Sequence, residues 1–233
     1  MYKTEAAFVE TLTNSLRNHS GIYKQNEKES TLIRKEVSLG YGIADIVVAK
    51  YSNKNTIERS NFLNFFDVSL VKIIKNKKQI GIEEIIKITK SSKPKVHISL
   101  KKLIDNKIIT TEKETYYSFC NYKSILTNSI AIEAKLKNWK RALNQAYRYK
   151  WFSQKSFVFI PEENIQPAYN NLELFKKMNV GLGTISKSKK INILFKPKKE
   201  RPYSEEMWMF LNECILVNLS STSKTISKKI NDN

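Results

Sequence analysis

Two periods of apolar and polar positions run through the chain, and they alternate. Residues 4–17, TEAAFVETLTNSLR, carry Ala7, Phe8, Leu12 and Leu16 at helical spacing, with Thr4 placed to cap. Strand-like alternation follows over 31–37 and again over 43–49, IADIVVA, with Gly40 and Gly42 between them; a loop holding His19 and Gly21 precedes the pair. A third strand is read at 130–136, where Ile130, Ile132, Ala134 and Leu136 share one face and Ala131, Glu133 and Lys135 the other. It runs directly into a helix marked by Trp139, Ala142, Leu143, Ala146 and Tyr149, which sets Gln145 and Tyr149 one turn apart.

The interval between the second and third strands far exceeds the roughly two to five residues of a hairpin loop. It is itself patterned. Phe62, Phe65, Phe66, Val68, Leu70, Val71, Ile73 and Ile74 predict one helix, and Ile82, Ile85, Ile86 and Ile88 a second. A third starts near Lys93 and Pro94, buries Val96, Leu100, Leu103 and Ile104, and stops at Asp105-Asn106. KIITT and TYYSF then read as two short strands around Glu112-Lys113-Glu114. Beyond the central helix come a strand over 155–160, a helix over 165–178, and two strands, VGLGTIS and INILFKP, joined by the basic turn 187–190. Gly181 and Gly183 read as close backbone packing. A last helix is capped by Ser204, and the Ser/Thr/Lys-rich residues from about Ser220 read as frayed. Strands alternating with helices predict an α/β chain with a mixed central sheet flanked by helices.

Composition sharpens this picture in three ways. With 233 residues, 41% of them hydrophobic, the chain can build one medium domain, or one domain plus a small module, and global disorder is excluded. Lys and Arg number 41 against 22 Asp and Glu, a formal charge of +19 spread through the periodic segments. Such a surface suits a polyanion, nucleic acid ahead of membrane. Cys120 and Cys214 lie far apart, so neither a disulfide framework nor a zinc cluster is expected. No apolar run approaches the roughly 18–20 residues of a membrane span and no signal peptide opens the chain, so a cytoplasmic protein is expected.

Candidate chemistry centres on three residues. Glu133-Ala134-Lys135 is the only Glu-x-Lys in the sequence, and its strand sets carboxylate and ammonium side by side. Asp45 is the one charge inside an otherwise apolar strand, a costly placement unless the carboxylate is paired or binds a metal. A satisfied strand-end Asp is the structural alternative. If 43–49 pairs with 130–136, Asp45 and Glu133 meet on one face beside Lys135. Glu5 and Glu10 are the acids of the first helix, Glu10 reading as solvated. His19 and His97 are the only imidazoles and neither sits in a triad context, which argues against Ser- or Cys-based covalent catalysis.

These elements resemble the PD-(D/E)xK nuclease superfamily: a helix with Glu5, a meander with Asp45 on its second strand and Glu133-x-Lys135 on its third, then a helix with Gln145 and Tyr149. Ala44 stands where the name-giving Pro would be. The resemblance covers about 1–50 and 127–200, and implies a restriction-endonuclease-like core formed by 1–60 with 124–233. Residues 61–123 resemble a winged helix-turn-helix, implying an inserted DNA-binding domain whose third helix presents Lys93, Lys95, His97, Ser99, Lys101 and Lys102 to DNA. The expected activity is Mg²⁺-dependent hydrolysis of phosphodiesters in double-stranded DNA, with Mn²⁺ as substitute. Asp45, Glu133 and the Ala134 carbonyl would hold the metal, Lys135 would contact the scissile phosphate and orient or help deprotonate the attacking water, Glu5 would bind a second metal or a metal-bound water, and Gln145, with Tyr149 behind it, would help place the water or phosphate. A catalytically silent DNA-binding regulator, and a transposition or repair subunit active only with partners, are the alternative expectations. Homodimerisation is compatible with either enzyme.

Overall fold

The computed structural model describes residues 2–19, 28–40, 42–52, 54, 59, 61–113, 115–118 and 122–231. In chain order, α1 (Glu5–Arg17) leads into β1 (Glu29–Ser38) and β2 (Ile43–Ser52). Next come α2 (Phe65–Lys77), β3 (Gln79–Gly81), α3 (Ile82–Thr89), α4 (Lys93–Asp105), β4 (Ile109–Glu112) and β5 (Thr115–Ser118). The remainder is β6 (Leu126–Ala134), α5 (Trp139–Arg148), β7 (Lys155–Pro161), α6 (Gln166–Tyr169), α7 (Leu172–Met178), β8 (Gly181–Ile185), β9 (Ile191–Phe195) and α8 (Glu205–Asn231). Gly21, Glu114 and Cys120 lie outside the described residues.

The chain divides into two compact units, Met1–Asn55 with Leu126–Trp208, and Thr56–Ile125 with Met209–Asn233. In the first, six strands form one mixed sheet in the order β1-β2-β6-β7-β8-β9. The β1, β2 and β6 strands are antiparallel neighbours, β6, β7 and β8 run parallel, and β9 returns antiparallel. Helices flank this sheet, which makes the chain a mixed α/β protein. One sheet face packs Ile46, Val48, Ile130, Ile132 and Ala134 against Phe8, Leu12 and Leu16 of α1. Thr4 caps α1, accepting the Ala7 N–H at 3.1 Å, so the first turn and Glu5 are fixed in place. Gly181 and Gly183 lie where an added Cβ would stand 2.2 Å from the Phe157 ring and 2.5 Å from that of Phe159. Only a residue without a side chain lets those rings cover β8.

The second unit has its own core, built from Val68, Leu70, Val71 and Ile74 of α2, Ile85 of α3, and Val96, Leu100 and Leu103 of α4. A three-stranded sheet in the order β3-β5-β4 completes it. Asn64 and Asp67 form a reciprocal capping box at the start of α2. Among the described residues, no helix is long and apolar enough to cross a membrane.

Four expectations change here. The helix read over 165–178 is two short helices, α6 and α7, interrupted at Asn170 and Asn171. Both Asn residues favour turns through local hydrogen bonds, and the Asn171 side chain bonds back to the Pro167 carbonyl. Phe62 precedes α2 instead of belonging to it, because the Asn64 cap sets the start. The backbone from Ser220 is helical as far as Asn231. Finally, residues from Met209 onward, expected with 124–208, group with the second unit, where Met209 joins the core and Asn212 and Glu213 find their partners.

Candidate active site

Strand pairing sets up the site. β2 and β6 pair with Ile46 opposite Ile132 and Val47 opposite Ala131. One step further along the same register, Asp45 stands opposite Glu133. Both lie on the sheet face away from α1, since side chains alternate along each strand. Helix α5 packs against β6 and β7.

Asp45 is half-buried, and its Oδ2 accepts the Ala134 N–H at 2.7 Å. The Lys135 N–H goes the other way, to Phe159 O on β7 at 3.1 Å. Ala134, one residue back, therefore turns its backbone polar groups toward β2, on the Asp45 side. Glu133 is 1% exposed. Its Oε1 lies 3.1 Å from Lys135 Nζ, and its Oε2 accepts from the Tyr149 hydroxyl. The same hydroxyl lies 2.7 Å from Ile43 O. One phenolic proton faces two acceptors, so a proton on Glu133 would complete both contacts. Lys135 also reaches back to α1, donating to Glu5 Oε2 at 2.9 Å.

Charge in this cluster is unbalanced: Asp45, Glu133 and Glu5 surround one ammonium. Burial pushes the Asp45 carboxyl above its usual range; the Ala134 N–H and Lys135 oppose that, while Glu5 and Glu36 add to it. Glu133 is likewise raised, first by burial and then by the Asp45 charge, against the Tyr149 hydrogen bond and Lys135. For Lys135 burial acts downward, but the Glu5 hydrogen bond and the charges of Asp45 and Glu133 outweigh it and hold the ammonium above its ordinary value. Burial and Glu133 also raise the Tyr149 phenol, which stays protonated at any ordinary pH. Lys135 is thus a fixed cation, suited to holding an anion and poorly suited to taking a proton.

Gln145 lies one turn before Tyr149 and lines an open depression with Arg141, Asn144, Tyr147 and Arg148. Its Oε1 is buried without a hydrogen-bond partner among the described residues. Glu10 is exposed and bonded to Lys35 at 2.5 Å. Tyr149, expected alongside Gln145, bonds Glu133 directly through its hydroxyl. One contributor was not foreseen. Glu36, across from Asp45 on β1, adopts φ 54° where the flanking register is otherwise regular. A single left-handed residue within a strand has no compositional signature, and Glu is not a residue that advertises it.

In the second unit, Lys93, Lys95, His97 and Lys101 of α4 are exposed. Lys93 Nζ is 3.4 Å from Glu83, and Lys95 Nζ sits 4.2 Å from the centre of the Phe66 ring. Ser99 and Lys102 correct the expected reading surface. Ser99 is 4% exposed, because the stripe of Val96, Leu100 and Leu103 takes it inward. Lys102 is bound at 2.7 Å to Asp67, a wholly buried acid of α2, so its charge is already committed. Ile98 stands exposed instead.

Among the described residues no three His, Cys, Asp or Glu side chains converge as a metal-binding group. On this face the oxygens that could hold a cation are the Asp45 and Glu133 carboxylates and the Ala134 carbonyl. Two carboxylates and a carbonyl, all hard oxygens, fit Mg²⁺, which keeps several waters and needs only one or two acids. Their raised carboxyls are what an uncompensated pair displays. Compared with known proteins, the chain has no matching family model, curated protein or solved structure.

Proposed function

We propose that the chain is a metal-dependent DNA endonuclease, hydrolysing phosphodiester bonds at Asp45, Glu133 and Lys135 in a core of the PD-(D/E)xK kind. The observation that carries this reading is the convergence of two carboxylates from strands 88 positions apart in sequence with a buried-side lysine, Glu133 Oε1 lying 3.1 Å from Lys135 Nζ. Support also comes from the order of elements, with β1, β2 and β6 adjacent and antiparallel, and from the charge of +19. For the second unit, three helices and a small sheet favour a winged helix that grips duplex DNA, with Lys95, His97 and Lys101 as its reaching residues.

In this reading Asp45, Glu133 and the Ala134 carbonyl hold the ion, and Mn²⁺ replaces Mg²⁺. Such an ion neutralises phosphoryl oxygens and lowers the pKa of water. The chain's own residues supply position. Lys135, held as a cation, contacts the scissile phosphate and orients the attacking water. Tyr149 aims Glu133 by holding Oε2, and so leaves Oε1 toward Lys135. Glu5 steadies Lys135 from α1, and Gln145, whose oxygen lacks a partner among the described residues, accepts from a water. The test is cleavage of supercoiled plasmid and of labelled oligonucleotide with Mg²⁺ or Mn²⁺. Cleavage that disappears in Glu133→Ala and Lys135→Ala supports the assignment. Cleavage surviving both changes removes this site, and salt-sensitive binding without cleavage under either ion replaces the enzyme by a silent DNA-binding protein.

A further inference from the structure

Helix α5 carries more than the candidate active site uses. The open depression beside Gln145 has a volume of about 620 Å³ and includes Arg141 and Arg148 in its lining. Arg148 lies close to the site: its Nη2 is 3.8 Å from where a Cβ on Gly42 would stand, three residues before Asp45. At the end of the helix three large rings reach solvent together. Tyr147 is 39% exposed, Trp151 38% and Tyr203 49%. Tyr203 meets both others edge to face, at 6.5 Å from the Tyr147 centroid and 6.2 Å from that of Trp151.

The rings are held rigidly. Tyr203 N–H donates to Lys150 O at 3.0 Å and Ser204 N–H to Trp151 O at 3.1 Å, tying the segment before α8 to the end of α5. Lys150 Nζ lies 5.2 Å and 5.3 Å from the Tyr147 and Tyr203 centroids and is fixed by Glu200 at 2.7 Å. Isolated exposed aromatics are ordinary. Three joined through Tyr203, beside two guanidinium groups of α5, are a combination that single exposed rings do not offer. Guanidinium groups suit phosphates, and exposed ring edges and faces suit bases. A duplex cannot use the rings, because its base faces are stacked inside the helix. Only unpaired bases have a face to offer.

We propose that this surface binds single-stranded nucleic acid, with bases on Tyr147, Trp151 and Tyr203 and phosphates on Arg141 and Arg148, leading the strand toward Asp45 and Glu133. The proposal rests on the nuclease reading for its direction and names the substrate class: an unpaired stretch next to the cut. It is tested by binding, separately from catalysis. The full-length Lys135→Ala chain is titrated, without divalent ions, with a fluorescent 12-nucleotide oligothymidylate, the matching uridylate, an abasic chain of equal length, and a duplex of the same length. Trp151→Ala and Tyr203→Ala are each expected to weaken oligothymidylate binding roughly tenfold. Duplex and abasic binding should stay within about twofold, and Trp151→Phe and Tyr203→Phe should retain most of the affinity. Arg141→Ala and Arg148→Ala should each reduce the slope of log affinity against log salt by about 0.7, which the aromatic changes leave intact. A uridylate bound as tightly extends the site to RNA. The proposal is overturned if the aromatic variants bind oligothymidylate like the parent, if the abasic chain binds as well as oligothymidylate, or if a poly-glutamate peptide displaces the oligonucleotide from these side chains at equal charge. Loss of cleavage in Lys135→Ala with single-strand binding retained separates this result from the fate of the nuclease reading.

Discussion

Two buried glutamates, one in each unit, make opposite use of similar neighbours. Glu133 and Glu213 are each 1% exposed, each accepts from a tyrosine hydroxyl, and each lies about 3 Å from a cation. Around Glu213 both carboxylate oxygens are paired, though Arg59 Nε finds no partner among the described residues. Arg59 is itself buried, with its guanidinium 5.2 Å from the Tyr122 centroid. Leu63 N–H donates to Glu213 Oε2, while Asn212 bonds Tyr122, Ser124 and the Ile125 N–H. Burial and the Glu213 charge push the Tyr122 phenol well up, so it remains a donor. One acid meets one cation there, and the network fastens α8 to both ends of the 59–125 segment. Around Glu133 nothing balances: Lys135 is shared with Glu5, and Asp45 adds a second buried-side carboxylate. A balanced buried acid fixes structure. One left in excess is what the proposed metal site calls for.

The sharpest way to break this comparison is to remove one member from each site. Lys135→Ala or Glu133→Ala should lower cleavage by more than about ten-thousandfold, some 5.5 kcal/mol of transition-state stabilisation, with the folded chain intact by circular dichroism. Glu213→Ala should do the reverse. It strands a buried guanidinium and is expected to cost about 3–5 kcal/mol in urea unfolding, without altering the divalent-ion requirement of the chain that remains folded. If Glu133→Ala unfolds the protein and Glu213→Ala merely abolishes cutting, the two sites have been assigned the wrong way round.

Much of the first site could be read before any coordinates. Alternation over 130–136 already sets Glu133 and Lys135 on one face, although β6 ends at Ala134 and Lys135 lies just past it, and Asp45 is conspicuous because its neighbours over 43–49 are all apolar. The alternation of strands and helices is enough for the coarse α/β class. What escapes is whatever depends on angle or on partners remote in sequence. The Tyr149 hydroxyl reaches Ile43 O and Glu133 only because α5 crosses the sheet as it does, and no period encodes a crossing angle. Lys102 reads as an outward lysine until Asp67, 35 positions upstream, is seen to hold it. Ser99 is small enough to be swept into a stripe that was read from larger neighbours. β3 is three residues long, too short to show any period. The Glu213 network joins residues 87 to 154 positions apart, so sequence marks none of it.

Metal titration sharpens the contrast at a smaller scale. Mg²⁺ at a hundred times its dissociation constant should stabilise the native chain by about 2.7 kcal/mol, or a rise of roughly 5–10 °C in Tm by calorimetry. Glu213→Gln should keep this increment, since its site is already balanced. Asp45→Asn and Glu133→Gln should lose it. An undiminished rise in both would move the ion to other ligands and leave the Asp45–Glu133 pair without its occupant.

The smallest effect is the most diagnostic, because its sign runs against intuition. Asp45 and Glu133 both have carboxyls raised in the folded chain. A raised carboxyl contributes stability below its unfolded pKa, near 4, and that contribution is lost as pH rises through its folded value. At neutral pH, without metal, the pair therefore opposes folding. Asp45→Asn keeps an oxygen able to accept the Ala134 N–H and removes one of the two charges. It should raise the Tm of the metal-free protein at pH 7.5 by about 2–4 °C, corresponding to ~1 kcal/mol after allowing for the partial solvent screening of Asp45. As pH falls through the raised folded values and the parent's carboxyls take up protons, the two chains should converge in Tm. The gain must open as pH rises from there and vanish again when Mg²⁺ is added, since the parent then recovers its own neutralising charge. A substitution that weakens the protein at pH 7.5 would mean that Asp45 is a satisfied structural acid like Glu213, and the asymmetry between the two sites would be lost.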